Sequence, residues 1–364
     1  MESDYWLNLD GALSSAISEA TEPLYTITTL PDVEPLDAQF GAWPRKTVPD
    51  GLAEPLFGDV EPDAAAIARY GSPEQVPSMR TYAILDAAKA PYQLTGVLSD
   101  AGLPFLSLFQ GDAAEDFEEC APYLVELSIE HDLTRRLMTR TADGGGLWDK
   151  GLGIYFRSRA PIEELRRHFR KFTRLPNADG KWFYFRFWES SVIPGFLQRL
   201  PRERQDQFRM LYCGTDICPI ASVVLPRADD FPTSLLSGAP HRLGDNRGQS
   251  RISLQAVDLA CFREAMWADF THRLHSDMRT RALSNYGMSP DSFEAYYAQV
   301  LAMEAGRFSG SERDFSTFVV LSFEQGLGFW DEPQIQNITT SKPLQHSGKI
   351  MDAVLHHLKE QERA

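Results

Sequence analysis

The chain has little of what would place it outside the cell or in a membrane. Four cysteines in 364 residues are too few and too scattered for a disulfide framework, which predicts a reducing compartment. No uncharged run exceeds about a dozen residues, short of the ~20 apolar residues a membrane helix needs. The opening residues, MESDYWLNLD, lack the basic n-region and apolar h-region of a secretory signal. Basic residues are in deficit too, 36 Lys and Arg against 51 Asp and Glu, for a net charge of −15. That argues against nucleic acid as the main partner. Together these absences predict a soluble, cytoplasmic protein that engages neither membrane nor nucleic acid.

Signatures of catalysis are missing as well. No serine sits in a G-x-S-x-G elbow. The glycines of DGGGLWDKGLG (143–153) do not have the spacing of a phosphate loop. Cys213 and Cys218 form a C-x4-C pair with no second pair or nearby histidine, unlike a zinc site. The pairs His272/His275 and His356/His357 lack the His-Glu-x-x-His arrangement. Cys120, Cys213, Cys218 and Cys261 read by default as buried apolar cysteines. No catalytic residue, metal or cofactor is therefore expected. Asp86, at the end of an apolar run, is the one carboxylate placed like a site, because strand ends face the crevice in α/β folds. It reads as the partner of Arg186, as a cap on the following helix, or as the acid of a crevice site.

What the chain does have is an ordinary globular composition, 43% apolar and 24% charged, in a length that allows two domains. Charge is distributed unevenly. Residues 1–80 carry 4 basic and 14 acidic groups, and residues 81–155 carry 5 and 12. Residues 156–209 reverse the sign with 13 and 6, and the remainder returns to 14 and 19. The basic block is either a docking face for an acidic partner or a match for the protein's own acidic N-terminal third.

Residues 1–20 suggest a short helix with Leu7, Leu13 and Ile17 on one face. Seven prolines follow between Pro23 and Pro62, which predicts an extended arm without regular helix or central strand, anchored by Tyr25, Phe40, Trp43 and Phe57. From Thr81 short strands alternate with amphipathic helices. Strands are expected at 81–86, 103–111, 121–127 and 151–158, and helices at 91–102, 131–140 and from Pro161. Beyond Asp230 the pattern becomes helical, with Leu259, Phe262, Met266, Phe270, Leu274 and Met278 three or four apart in one long run. Ser289-Pro290 and Ser311–Asp314 mark further helix starts, and a last helix spans 349–361. The fold class is an α/β N-terminal lobe, a mixed sheet with flanking helices, plus a mainly α-helical C-terminal lobe. The boundaries are 1–80 for the helix and arm, 81–209 for the α/β domain and 210–364 for the helical lobe.

WFYFRFWES (182–190) reads as a strand with Phe183, Phe185 and Phe187 on one face and Tyr184, Arg186 and Trp188 on the other. An arginine among so many rings needs an acidic or carbonyl partner. Asp86 and Glu189 are the candidates, in a structural rather than a catalytic role.

The succession YAILDAA (82–88), LFQG (108–111), APYLVEL (121–127), Trp148 with Gly151, PIEELRRHFRKF (161–172) and FRFW (185–188) resembles the bacterial type VI secretion effector-chaperone family. That family carries the adaptor domain of unknown function 4123. The family usually places an aromatic, an aspartate and a proline after its F-R-F strand, where this chain has Trp188, Glu189 and Ser190. The resemblance implies a non-enzymatic, cytoplasmic adaptor. It would bind the N-terminal region of a cognate toxic effector and help load it onto a VgrG spike or its PAAR tip. Trp267 with Arg263 on the long helix, and Arg166, Arg167, Arg170 and Lys171 with Arg174, clustered in one helix of the basic block, are the candidate partner-binding residues. The rival readings are an immunity protein that neutralises a toxin, and a hydrolase or transferase with a crevice at Asp86.

Overall fold

The computed structural model describes residues 23–111, 115–228, 232–242, 252–304, 311–341 and 349–361. The helix expected within 1–20 lies outside them. The chain divides into two compact units, one holding the described residues up to Met266 and the other those from Trp267 onward.

In the first unit the proline-rich segment supplies β1 (Tyr25–Thr29), α1 (Asp50–Phe57) and α2 (Ala64–Tyr70). Regular structure here corrects the expectation of an irregular arm. Prolines flank β1, which is an edge strand. In α1, Pro49 is the N-cap and Pro55 removes one helical hydrogen bond, while Leu52 and Leu56 become fully buried, an apolar gain that offsets the loss. Tyr25 anchors the arm as expected, buried and donating its hydroxyl to the Leu197 carbonyl at 2.8 Å. Phe40 and Trp43 do not, for both project into solvent.

The chain continues through β2 (Arg80–Asp86), α3 (Leu94–Ala101), β3 (Phe105–Ser107), β4 (Pro122–Leu127), α4 (Asp132–Leu137), β5 (Gly153–Ser158) and α5 (Ile162–Phe169). Next come β6 (Arg174–Pro176), β7 (Trp182–Tyr184), α6 (Ile193–Arg199), α7 (Arg202–Tyr212), β8 (Ser222–Leu225) and β9 (Ser234–Gly238). Seven strands form one sheet in the order β1-β9-β8-β5-β2-β4-β3, and every neighbouring pair in it is antiparallel. β8 and β9 carry this sheet past residue 209, where only helix was expected.

Side-chain alternation splits the sheet between two cores. Tyr82, Ile84, Leu124, Ile154, Phe156 and Leu236 meet α5, α6 and α7 on one face. Ala83, Leu85, Val125, Tyr155 and Val224 meet α1, α3, α4 and Trp148 on the other. Burial on both faces explains why β2 and β4 read as continuous apolar runs.

The aromatic stretch is a strand only over β7, paired with β6 as a separate hairpin. From Phe185 the chain leaves the ladder and turns, with the Glu189 N–H donating to the Arg186 carbonyl at 3.1 Å. Phe185 and Phe187 are buried and Phe183 packs beside them. Trp188, expected on the opposite face, is fully buried too, because the turn ends the two-residue alternation.

α5 buries Ile162, Leu165 and Phe169 at the expected spacing, and also His168. The imidazole lies 5.0 Å from the Phe169 ring and 5.2 Å from the Phe172 ring, with Nε2 3.4 Å from the Leu211 carbonyl oxygen. Burial pushes its pKa down to about 4. The unfolded chain, with imidazole near ~6.5, then binds the extra proton between those values, so this contribution is complete above that range and falls with pH. Urea unfolding at about pH 7 and about pH 5.5 should show a loss of about 1 kcal/mol from this group. His168→Leu should lose that much less than wild type between the two conditions; equal losses would contradict the assignment.

The second unit is helical. α8 (Ala256–Asn285) contributes its residues from Trp267 onward, joined by α9 (Pro290–Glu304), α10 (Glu312–Gln325), α11 (Pro333–Thr339) and α12 (Ile350–Gln361). Its core gathers Phe270, Leu274, Met278, Phe293, Phe318 and Trp330. The apolar stripe expected along α8 is interrupted at Met266, which is exposed, while Cys261 and Ala265 are the buried positions just before it. Ser289 and Ser311 cap their helices as read, accepting from Ser292 N and Asp314 N, each at 3.2 Å.

Candidate functional site

Asp86 ends β2 at the point where the chain leaves the sheet for a 3-10 turn, Ala87–Lys89. Its carboxylate is almost completely sealed from solvent and accepts three hydrogen bonds. Oδ1 takes the Ala88 N–H at 2.9 Å, while Oδ2 takes Arg186 Nη2 at 2.6 Å and Trp188 Nε1 at 2.7 Å. Two of the roles read for Asp86 therefore hold together, one oxygen capping the turn and the other pairing with Arg186.

Arg186 also lies 3.5 Å from Glu189 Oε2, and Lys89 Nζ meets Glu189 Oε1 while donating to the Gly151 carbonyl at 2.7 Å. Gly151 has φ +52°, a left-handed conformation that suits glycine. Two cations and two carboxylates thus form a charge-balanced cluster, and Trp188 closes it from the core side. It joins the end of β2, the Gly151 turn and the 186–189 turn, the first and last of which lie 100 residues apart from Asp86 to Arg186.

The reason given for a crevice at Asp86 does not carry over. That rule concerns parallel sheets, and this sheet is antiparallel. The carboxylate is occupied by protein donors rather than presented to a ligand. Lys89 was not singled out from sequence; its position three residues past Asp86, inside the YAILDAA–K segment, is the only signal of its place.

The basic block is reorganised as well. Arg166 lies on α5, Arg170 and Lys171 on a 3-10 turn after it, and Arg174 on β6, so they do not share one helix. Arg166 donates to the carbonyls of Ser107 and Phe109 at 2.7 and 3.1 Å, and Arg170 bonds Gln110. Arg166 is spent on the end of edge strand β3, and Arg170 on the segment that follows it. Arg167, Lys171 and Arg174 remain exposed, with Arg174 over the Trp182 ring at 5.9 Å. Arg263 is half-buried in the first unit. Trp267, in the second, is 40% exposed with its ring 5.4 Å from Phe270 and 5.2 Å from Phe315.

Among the described residues no group of three His, Cys, Asp or Glu side chains converges as a metal site. Burial pushes the thiols of Cys213 up to about 12 and Cys218 up to about 11, which keeps them protonated and poorly nucleophilic at neutral pH. No helix among the described residues is long and apolar enough to cross a membrane.

The cluster and the elements it joins coincide with a known domain. Residues 81–207 match the family model described as Domain of unknown function (DUF4123). The match opens at β2 and closes within α7, taking in Asp86, Lys89, Gly151, Arg186, Trp188 and Glu189. Strands β1, β8 and β9, three of the sheet's seven, lie outside it. No curated protein and no solved structure matches the chain.

Proposed function

We propose that this chain is a non-enzymatic adaptor of type VI secretion. It binds the N-terminal region of a cognate toxic effector in the cytoplasm and promotes its loading onto the VgrG/PAAR spike. The resemblance of residues 82–205 to effector chaperones and the DUF4123 match over the same stretch support this reading.

The observation that carries it is the internal use of the domain's polar motif. Asp86, Arg186, Trp188 and Glu189 pair with one another, leaving only the buried Arg186 Nε of this set without a partner, and brace three chain segments. Side chains arranged this way build a scaffold, and the work left to such a protein is done by its surface. Exposed Arg167, Lys171 and Arg174 and half-exposed Trp267 are then the candidate contacts from the sequence.

Affinity capture of the tagged full-length chain from its host cytoplasm, read by mass spectrometry, should recover one large toxin-like protein, with or without a spike component. Recovery should fall as ionic strength rises to about 1 M, where the Debye length is only ~3 Å. An effector that remains toxic when bound separates an adaptor from an immunity protein. A chain that comes down alone at low salt would defeat the proposal.

A further inference from the structure

The basic block of 156–209 is not matched by the chain's own acidic N-terminal third. Among the described residues no carboxylate of 23–80 forms an ion pair with a cation of 156–209. The ion pair that does join the two segments, Arg69 with Glu164 at 3.8 Å, runs the other way. Arg157 and Arg159 reach that third through neutral acceptors, the carbonyls of Gly58, Val60 and Pro77. Of the two readings of the block, the internal match fails and the docking face remains.

Part of that charge lies on the outer face of the β6–β7 hairpin. Pairing sets Arg174 opposite Tyr184 and Pro176 opposite Trp182 on this face, while Leu175 and Phe183 turn to the core. Trp182 and Tyr184 are 43% and 47% exposed, and the Arg174 guanidinium lies over the Trp182 ring at 5.9 Å. The Phe109 ring meets that of Tyr184 edge-on at 5.6 Å, which carries the face onto the segment after β3. Arg166 and Arg170 stand there, on the carbonyls of Ser107 and Phe109 and the side chain of Gln110. Those acceptors are neutral, so they satisfy N–H groups without cancelling charge. Burial, and after it the charge of Arg166, press the Arg170 pKa downward, as expected where cations adjoin with no acid between them. No carboxylate among the described residues pairs with Arg166, Arg170 or Arg174.

We infer that this face binds an extended acidic segment of a partner protein, its carboxylates on Arg166, Arg170 and Arg174 and its apolar side chains on Phe109, Tyr184 and Trp182. Charge complementarity selects the occupant. Three arginines lacking acids attract carboxylates, while the net charge of −15 sets a second copy of the chain at a disadvantage. The row Phe109, Tyr184, Arg174, Trp182 selects its shape. Contacts of 5.6 and 5.9 Å along the row are close to the ~6–7 Å between side chains on one side of a strand. Single-stranded nucleic acid also stacks on rings, but its charge continues past the face onto an acidic chain. That the segment belongs to the effector rests on the adaptor reading above; the chemistry of the face does not.

Fluorescence anisotropy of the full-length chain with a labelled peptide of repeated Glu-Ser-Leu-Ser units tests this, since such a strand presents acid and apolar side chains alternately on one side. Wild type should bind it at low salt. Arg174→Glu should weaken binding at least ~10-fold with an unchanged melting temperature, because that side chain is exposed. Trp182→Ser should weaken it by a similar factor, and a peptide with Gln in place of Glu should bind as poorly. No binding to wild type, equal binding of the Gln peptide, or indifference to Arg174→Glu overturns the inference. So does tighter binding of an oligothymidylate of the same length. Effector capture separates this inference from the reading it rests on. A wild type that recovers an effector, with Arg174→Glu recovering as much, overturns the inference and leaves the adaptor reading standing. A wild type that recovers none defeats the adaptor reading, and the peptide titration still decides the chemistry of the face.

Discussion

Replacing Asp258 by alanine is expected to destabilise the first unit by about 3–5 kcal/mol, the usual cost of stranding one member of a buried ion pair. Arg204 on α7 and Asp258 in the first turn of α8 are each nearly inaccessible to solvent. Arg204 Nε donates to Asp258 Oδ1 at 2.8 Å, its Nη2 bonds Oδ2 and also the Ser253 carbonyl at 2.8 Å, and the Gln255 N–H donates back to Asp258 Oδ2 at 2.8 Å. The aspartate thus caps the start of α8 while neutralising a guanidinium that has no access to water. Asp258→Ala removes both functions and leaves a buried cation. Arg204→Met/Asp258→Leu removes both charges and should recover most of the loss, since an apolar pair of similar volume has no charge to desolvate. Chemical denaturation of the two single variants and the double variant measures the coupling. A double variant as unstable as the sum of the singles would show that packing, not charge, dominates at this site.

Asp86→Ala should have a comparable effect, about 3 kcal/mol, by a different route. Three donors lose their acceptor at once, and one of them, Trp188 Nε1–H, is fully buried. Arg186 is 40% exposed on its side chain and keeps Glu189, so water and that carboxylate recover part of its loss. Asp86→Asn retains an acceptor for Ala88 but presents an amide of limited use to two further donors, and should fall between alanine and wild type. Trp188→Phe deletes one donor with little change of shape and should cost about 1 kcal/mol. If the Asp86 variants melted like wild type, the cluster would not be the brace described above, and the support it lends to a scaffold reading would go with it.

The Asp86–Arg186 contact was open to sequence reasoning because an arginine in an apolar, aromatic stretch demands an acidic partner, and few carboxylates stand at the end of a buried run. Lys89 and the second bond from Trp188 were not open to it. Both depend on a turn at 185–189, and nothing in six aromatics out of nine residues signals where a strand stops. The same turn placed Trp188 in the core beside Phe187. The basic block shows the opposite limit. Its charge was plain in the sequence, yet Arg166 turned out to satisfy the carbonyls of Ser107 and Phe109 at the end of β3, and Arg170 the side chain of Gln110 just beyond it.

By itself the sequence determined the character of the pieces: β2, β4, β5, α5 and the capped helices after Ser289 and Ser311. It also marked the order of motifs that falls within the DUF4123 match. These are local properties, set by two- and 3.6-residue periodicity, caps and turn residues, and they survive any arrangement of the whole. Tertiary structure alone decided that β1, from a proline-rich arm, and β8 and β9, from beyond the matched domain, complete one antiparallel sheet. It alone decided that Phe40 and Trp43 stand in water while Tyr25 is buried. Strand partners and exposure depend on contacts between residues as many as two hundred positions apart, for which no periodicity in the chain supplies a sign.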